Sequence, residues 1–332
     1  MAFRDFSLYS TIADFAALAP RISGTISAIS SSTIIFLIFR SQPRLSTIYH
    51  RIMFGMSFAD IMASTAMSLT TLPMPRNDDP VWNRKDYGSY NGETFWSDQT
   101  KIGNEQTCTV QGFFFSTGIS IMFAYNGMLC FYYACAIAFR MHEKDIRKKV
   151  EPFLHGVPLV LGLCPAIPAF MYHFYTPITN DAWCTMRVKH VDTAPVSMFI
   201  FRYLPASIGG LVVLIVISLC LVIWRVRKNG KLLKEMVDHN DIQVEERVTA
   251  AHQNTKLIIF QSLAYIGALL VTLAFPLVRI MMGVDGYWNF TDKEAAVYVL
   301  MGKFMVVLVP LQGFFNLIIF LWHKGKGNRA KT

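Results

Sequence analysis

With 332 residues, 53% of them hydrophobic, and only 16% charged, the chain carries fewer charges than the roughly 25% of a soluble domain. That composition excludes an ordinary soluble enzyme, and 26 Phe with long aliphatic runs exclude a disordered chain. The 31 Lys and Arg against 22 Asp and Glu leave +9, a surplus that would point to nucleic acid in a soluble protein and here takes its meaning from where the basic residues fall.

A bilayer core of about 30 Å calls for about 20 mostly apolar residues per helix. Seven such runs follow one another, and they predict an all-α membrane protein, a seven-transmembrane helix bundle. Residues 1–21 form a short N-terminal segment without the apolar core of a signal peptide, so span 1 is expected to direct insertion itself. Span 1 (22–39) is rich in Ser and Thr, whose hydroxyls can bond the preceding helical turn. Span 2 (52–73) holds Asp60, the sole acid inside any span. The long loop 74–107 carries Trp82, Tyr87, Tyr90, Phe95 and Trp96, which suits either a binding loop or interfacial anchors. Span 3 (108–139) opens on Cys108, and span 4 (153–175) holds His155 and His173, about five turns apart and unable to share a metal. Span 5 (197–224) contains Arg202, span 6 (257–280) Pro276 and Arg279, and span 7 (295–322) Lys303, Pro310 and Gly313. The basic tail 323–332 has no Cys for palmitoylation.

The connecting segments differ sharply in charge. Segments 40–51, 140–152, 225–256 and 323–332 hold 19 Lys and Arg and 8 acids, against 9 and 13 in 1–21, 74–107, 176–196 and 281–294. The positive-inside rule then predicts an outside N-terminus and an inside C-terminus, and turns the +9 into a topology signal rather than a nucleic-acid one. Asn289, in the sequon Asn289-Phe290-Thr291, falls on the predicted outer side as a glycosylation candidate. Cys108 and Cys184 fall there too, where a disulfide persists, while the other four Cys lie within spans.

Several short strings are more specific: Pro310-Leu311-Gln312-Gly313-Phe314-Phe315-Asn316 in span 7, Cys108-x-x-Gln111-Gly112-Phe113-Phe114 at the start of span 3, and Cys135-Ala136-Ile137-Ala138-Phe139 near its end. With the seven spans, they resemble G-protein-coupled receptors of the cyclic-AMP-receptor-like group, which is distantly similar to the secretin-type family, over residues 20–325. The rhodopsin-type signatures depart: Ala138-Phe139-Arg140 stands where Asp-Arg-Tyr would, and span 7 has no Asn-Pro-x-x-Tyr. The resemblance implies a Cys108–Cys184 disulfide, an extracellular ligand, and a heterotrimeric G protein on the cytoplasmic face of the plasma membrane. It makes Arg140, Arg227, Lys228, Arg247 and Lys256 candidate G-protein contacts, although attraction to anionic lipid explains such basic clusters equally well.

An intramembrane acid is costly, so Asp60 should face the bundle interior, in a polar network with Asn126 and Asn316 as expected partners. Pro276 and Pro310 each free a backbone carbonyl and allow a kink that lets half a helix move, and Gly313 suits close helix approach. Gln111, Arg202, Arg279 and Lys303 are the candidate ligand contacts. The three basic residues either form a cavity for a small anionic ligand or snorkel to the outer surface. Lys303 precedes Pro310 by seven residues, the spacing of the retinal-linked Lys of animal opsins, but Gln111 stands where their counterion would be. A retinal photoreceptor using Lys303 and a seven-helix transporter or channel are therefore the alternatives. Nothing in the sequence implies a cofactor, a metal or an enzyme: GxSxG, HExxH and P-loop motifs are all missing.

Overall fold

The computed structural model describes residues 6–75, 101–177, 182–186, 194–237, 260–276, 278 and 292–329. They form seven helical rods and one hairpin. α1 (Phe6–Arg40) begins well before the predicted span. Its hydroxyls do what the Ser-rich sequence required: Ser23, Thr25, Ser32 and Thr33 each donate to the carbonyl four residues back, at 2.6–2.9 Å. α2 (Ile48–Ser68) starts where the Thr47 hydroxyl accepts the His50 N–H, and the chain leaves it at Thr70, with φ of 49°.

α3 (Glu105–Tyr133) starts in a reciprocal cap between Asn104 and Thr107, and continues through a π-helical turn, Ala134–Ala138. Arg140, with φ of 53°, turns the chain out of it. After a second π turn, Ile146–Val150, comes α4 (Glu151–Met171). β1 (Tyr175–Pro177) and β2 (Cys184–Met186) pair antiparallel, with Tyr175 opposite Met186 and Pro177 opposite Cys184. α5 (Ala194–Val237) runs 44 residues, beyond its predicted span. α6 covers Phe260–Pro276. The last rod is α7 (Asp292–Leu308), a 3-10 turn at Val309–Leu311, and α8 (Gln312–Arg329). The break falls at Pro310, which cannot supply the N–H a continuous α-helix needs there.

Among the described residues, five helical stretches are long and apolar enough to cross a membrane: Ala17–Arg40, Glu105–Ala138, Glu143–Met171, Met198–Lys228 and Leu300–Gly325. α6 is apolar but shorter over its described length, and α2 is diluted by Ser57, Asp60, Ser64 and Thr65. Those α2 polar groups are tolerable because most of that helix faces protein: Ile52, Met53, Met56, Ala59, Asp60, Ala63 and Met67 are all buried. Two thirds of the apolar stretch of α3 is buried against 22% of that of α5, so α3 runs through the centre and α5 lies outside it. Phe36, Phe58, Val160, Val213, Ile217 and Leu270 are large and exposed. Such a belt would be an aggregation liability in water and matches the hydrocarbon of a bilayer. The chain is an all-α, multi-pass integral membrane protein.

Candidate functional site

At one end of the bundle the Cys108–Cys184 disulfide ties the first turn of α3 to β2 across 76 residues of sequence, and Met74 packs over it. Gln111, one turn further along α3 and a candidate ligand contact, acts here as a bolt. Its Nε2 donates to the carbonyls of Ala66 (2.9 Å) and Thr70 (2.7 Å), and its Oε1 accepts the Cys184 N–H (3.1 Å). Fully buried and spent on three backbone partners, it holds the end of α2, the start of α3 and β2 together. Gly112 is where α3 meets the hairpin closely: a Cβ there would run into the ring of Tyr175. Next to the disulfide, Trp183 is 2% exposed and packs among Ala63, Met67, Met305 and Val306, with Phe115 at 5.3 Å between ring centroids and Phe275 alongside. An indole from a loop thus fills the space between α2, α3, α6 and α7. Sequence reasoning passed over it, because a lone Trp in a short loop has no periodicity to mark it.

Asp60 lies on the buried face of α2, 1% exposed, as an intramembrane acid must. Its Oδ2 accepts from Ser31 Oγ (2.7 Å), Ser27 Oγ (3.2 Å) and Ser64 Oγ (3.3 Å). Ser27 in turn accepts the Gly313 N–H at 2.8 Å. A Cβ on Gly313 would collide with Asp60 Oδ2 and Ser31 Oγ, so only glycine lets α8 come this close. The partners are therefore three serines and a glycine, not Asn126 and Asn316. Asn126 Nδ2 bonds the Met122 carbonyl in its own helix, and its Oδ1 is buried without a partner. Asn316 Oδ1 accepts from Gln312 Nε2, whose Oε1 accepts from Thr272 Oγ1 at 2.8 Å, so it belongs to a second chain that joins α6 to α8.

The opposite end holds two clusters joined by side-chain pairs that lie 100 or more residues apart in the chain. Gln261, 0% exposed at the start of α6, accepts from Tyr133 OH of α3 (3.3 Å) and donates to Tyr49 OH of α2 (2.6 Å); Tyr49 OH lies 3.4 Å from Tyr265 OH. Beside it Arg51 forms a bidentate pair with Glu151, through Nε to Oε1 and Nη2 to Oε2, and also donates to the Leu45 and Ser46 carbonyls. His155 Nδ1 then meets Tyr125 OH at 3.2 Å. These contacts clamp α4 to α2 and α3 with a charged pair, whereas α6 is held there by neutral hydrogen bonds.

The candidate basic cavity is not assembled among the described residues. Arg202 is exposed on α5, Lys303 is half-buried on α7 with no carboxylate in ion-pair range among the described residues, and Arg279 lies outside them, as does Asn289. Of the candidate G-protein contacts, Arg140, Arg227 and Lys228 are exposed at the end away from the disulfide, with Lys228 Nζ 5.4 Å from the centre of the Trp224 ring; Arg247 and Lys256 lie outside the described residues. Pro310 lies in the 3-10 turn of the last rod, and Pro276 closes the described part of α6. No group of three metal-ligating side chains occurs among the described residues.

A solved structure, that of squid rhodopsin, is similar to this one, with a TM-score of 0.64 over 94% of this chain and 78% of that chain. The fold is that of a rhodopsin-like seven-helix bundle. Sequence identity is 13%, so what the two share is the fold. No family model matches the chain, and no curated protein does.

Proposed function

We propose that this protein is a transmembrane signalling receptor of the cyclic-AMP-receptor-like group, with its N-terminus and the disulfide end outside the plasma membrane. A ligand bound in the outer half favours an arrangement in which the inner end of α6 moves outward, and a cytoplasmic heterotrimeric G protein binds that arrangement. The observation that carries this reading is how α6 is held. At the inner end its polar attachment to α2 and α3 runs through Gln261 and the Tyr49–Tyr265 hydroxyl pair, by neutral bonds each worth about 0.5–1.5 kcal/mol net. At the outer end its Phe275 packs against the cluster around Trp183. A helix touched by the ligand side at one end and weakly latched at the other is a two-state element that both sites can bias.

The string that carries the family resemblance supports the same reading. Gln312 bonds α6, Gly313 seats α8 against Asp60 and Ser27, and Asn316 closes the chain, so the motif is where α8 meets α1, α2 and α6. The exposed Arg140, Arg227 and Lys228 serve as G-protein contacts, with Arg247 and Lys256, and Asn289 is a glycosylation site. A photoreceptor is less well supported, because Lys303 has no counterion among the described residues. A transporter is less well supported because Asp60 is the one buried acid among them.

The test is guanine-nucleotide exchange by purified heterotrimeric G proteins with the reconstituted protein. At least one G protein is expected to exchange faster with the protein than with empty membranes. Equal rates across the whole panel, for the wild type and for a variant with α6 unlatched, would overturn the coupling.

A further inference from the structure

We propose that Trp183 is a tethered ligand: the chain supplies, from the loop before α5, the aromatic group that occupies its own outer cavity. Residues from five helices meet this one indole cluster: Ala19 of α1, Ala63 and Met67 of α2, Phe115 and Ile119 of α3, Phe275 of α6, and Met305, Val306 and Val307 of α7. A loop residue that merely covered the bundle would keep one face in solvent, whereas Trp183 is 2% exposed. The neighbouring residue, Cys184, is fixed twice, covalently to Cys108 and by its N–H to Gln111 Oε1, so the indole is delivered to one place. A cleft of about 200 Å³ adjoins the cluster and shares Phe115 and Ile119 with it, opening along α3 and α4 to Met186 of β2.

The lining sets the chemistry of anything that competes for the place. Apolar side chains from five helices pack in the cluster around the indole, so a flat uncharged aromatic would recover the packing that Trp183 gives up. The cavity is thus a site for an uncharged bicyclic aromatic. The inference rests on the reading of the disulfide end as the ligand side, but its test needs no G protein.

Removing the side chain should leave an apolar hole, and such holes bind small aromatics from solution. Trp183→Ala in lipid nanodiscs is expected to unfold several degrees below wild type, and added indole should raise its Tm by at least about 3 °C, with no comparable rise for wild type. Trp183→Phe, which leaves a smaller hole, keeps the experiment decisive should the alanine variant not fold: a smaller loss and a partial rescue by indole are expected. Sodium benzoate, a flat anion, should rescue neither variant. No rescue of either variant by indole would overturn the proposal, as would an equal shift of wild type, or rescue by benzoate as good as by indole. Rescue without any nucleotide exchange would leave the site standing and remove the coupling; exchange without rescue would do the reverse.

Discussion

Replacing Gln261 by Leu removes two of the hydrogen bonds that latch the inner end of α6, and leaves the Tyr49–Tyr265 pair, while keeping a side chain of similar size. Gln261 is fully buried and makes two side-chain hydrogen bonds, from Tyr133 and to Tyr49. At about 0.5–1.5 kcal/mol net each, their loss costs the latched arrangement about 1–3 kcal/mol. If the open arrangement lacks both bonds, that cost falls on the closed state alone, and the closed-to-open equilibrium shifts about 5- to 150-fold. Ligand-free nucleotide exchange on a responsive G protein should rise accordingly, until the open state saturates. Tyr133→Phe removes one of the two bonds and should give a smaller rise in the same direction. A fall in Tm for Gln261→Leu with no change in basal exchange would refute the reasoning, since it would mean that the bonds persist in both arrangements.

Other consequences follow from the packing. Gly313→Ala places a methyl group against Asp60 and Ser31, and should destabilise the bundle by about 1–3 kcal/mol, read as a lower Tm in detergent. Arg51→Ala leaves Glu151, 14% exposed, without its bidentate partner; a loss of about 1–3 kcal/mol is expected, and the double variant with Glu151→Ala should cost less than the sum of the singles in thermal unfolding. Cys108→Ser, Cys184→Ser and the double variant should all be equally less stable, by about 2–4 kcal/mol, and reducing agent should lower the Tm of the wild type alone.

The seven rods and the disulfide were legible because both depend on strong, local signals: unbroken apolar length, and two Cys on the less basic side. Asp60 was legible for the same reason, as an acid where acids are expensive. Its partners were not. Ser27 and Ser31 are four residues apart on α1, hence on one face, but Ser-rich sequence also satisfies its hydroxyls within the helix, as Ser23 and Ser32 do, so nothing in the sequence separates the two uses. Gln111 stood out as a polar residue near the outer surface, but its three backbone partners were not legible, because the turn after α2 and β2 bring them there only in the fold. Gln261, Tyr133 and Tyr49 come from helices distant in sequence and carry no charge, so no span looked unusual for holding one of them. Trp183 depends wholly on tertiary structure, since the disulfide and Gln111 decide where its loop goes.

The central claim is that α6 moves at its inner end, and a distance across that end tests it most directly. Spin labels replacing Phe139, exposed at the end of α3, and Leu263, exposed on the first turn of α6, report the separation by pulsed resonance in nanodiscs. The account predicts one short distance in the resting wild type, and a second, longer one that grows with Gln261→Leu and with nucleotide-free G protein. A single unchanged distance under all three conditions would contradict it.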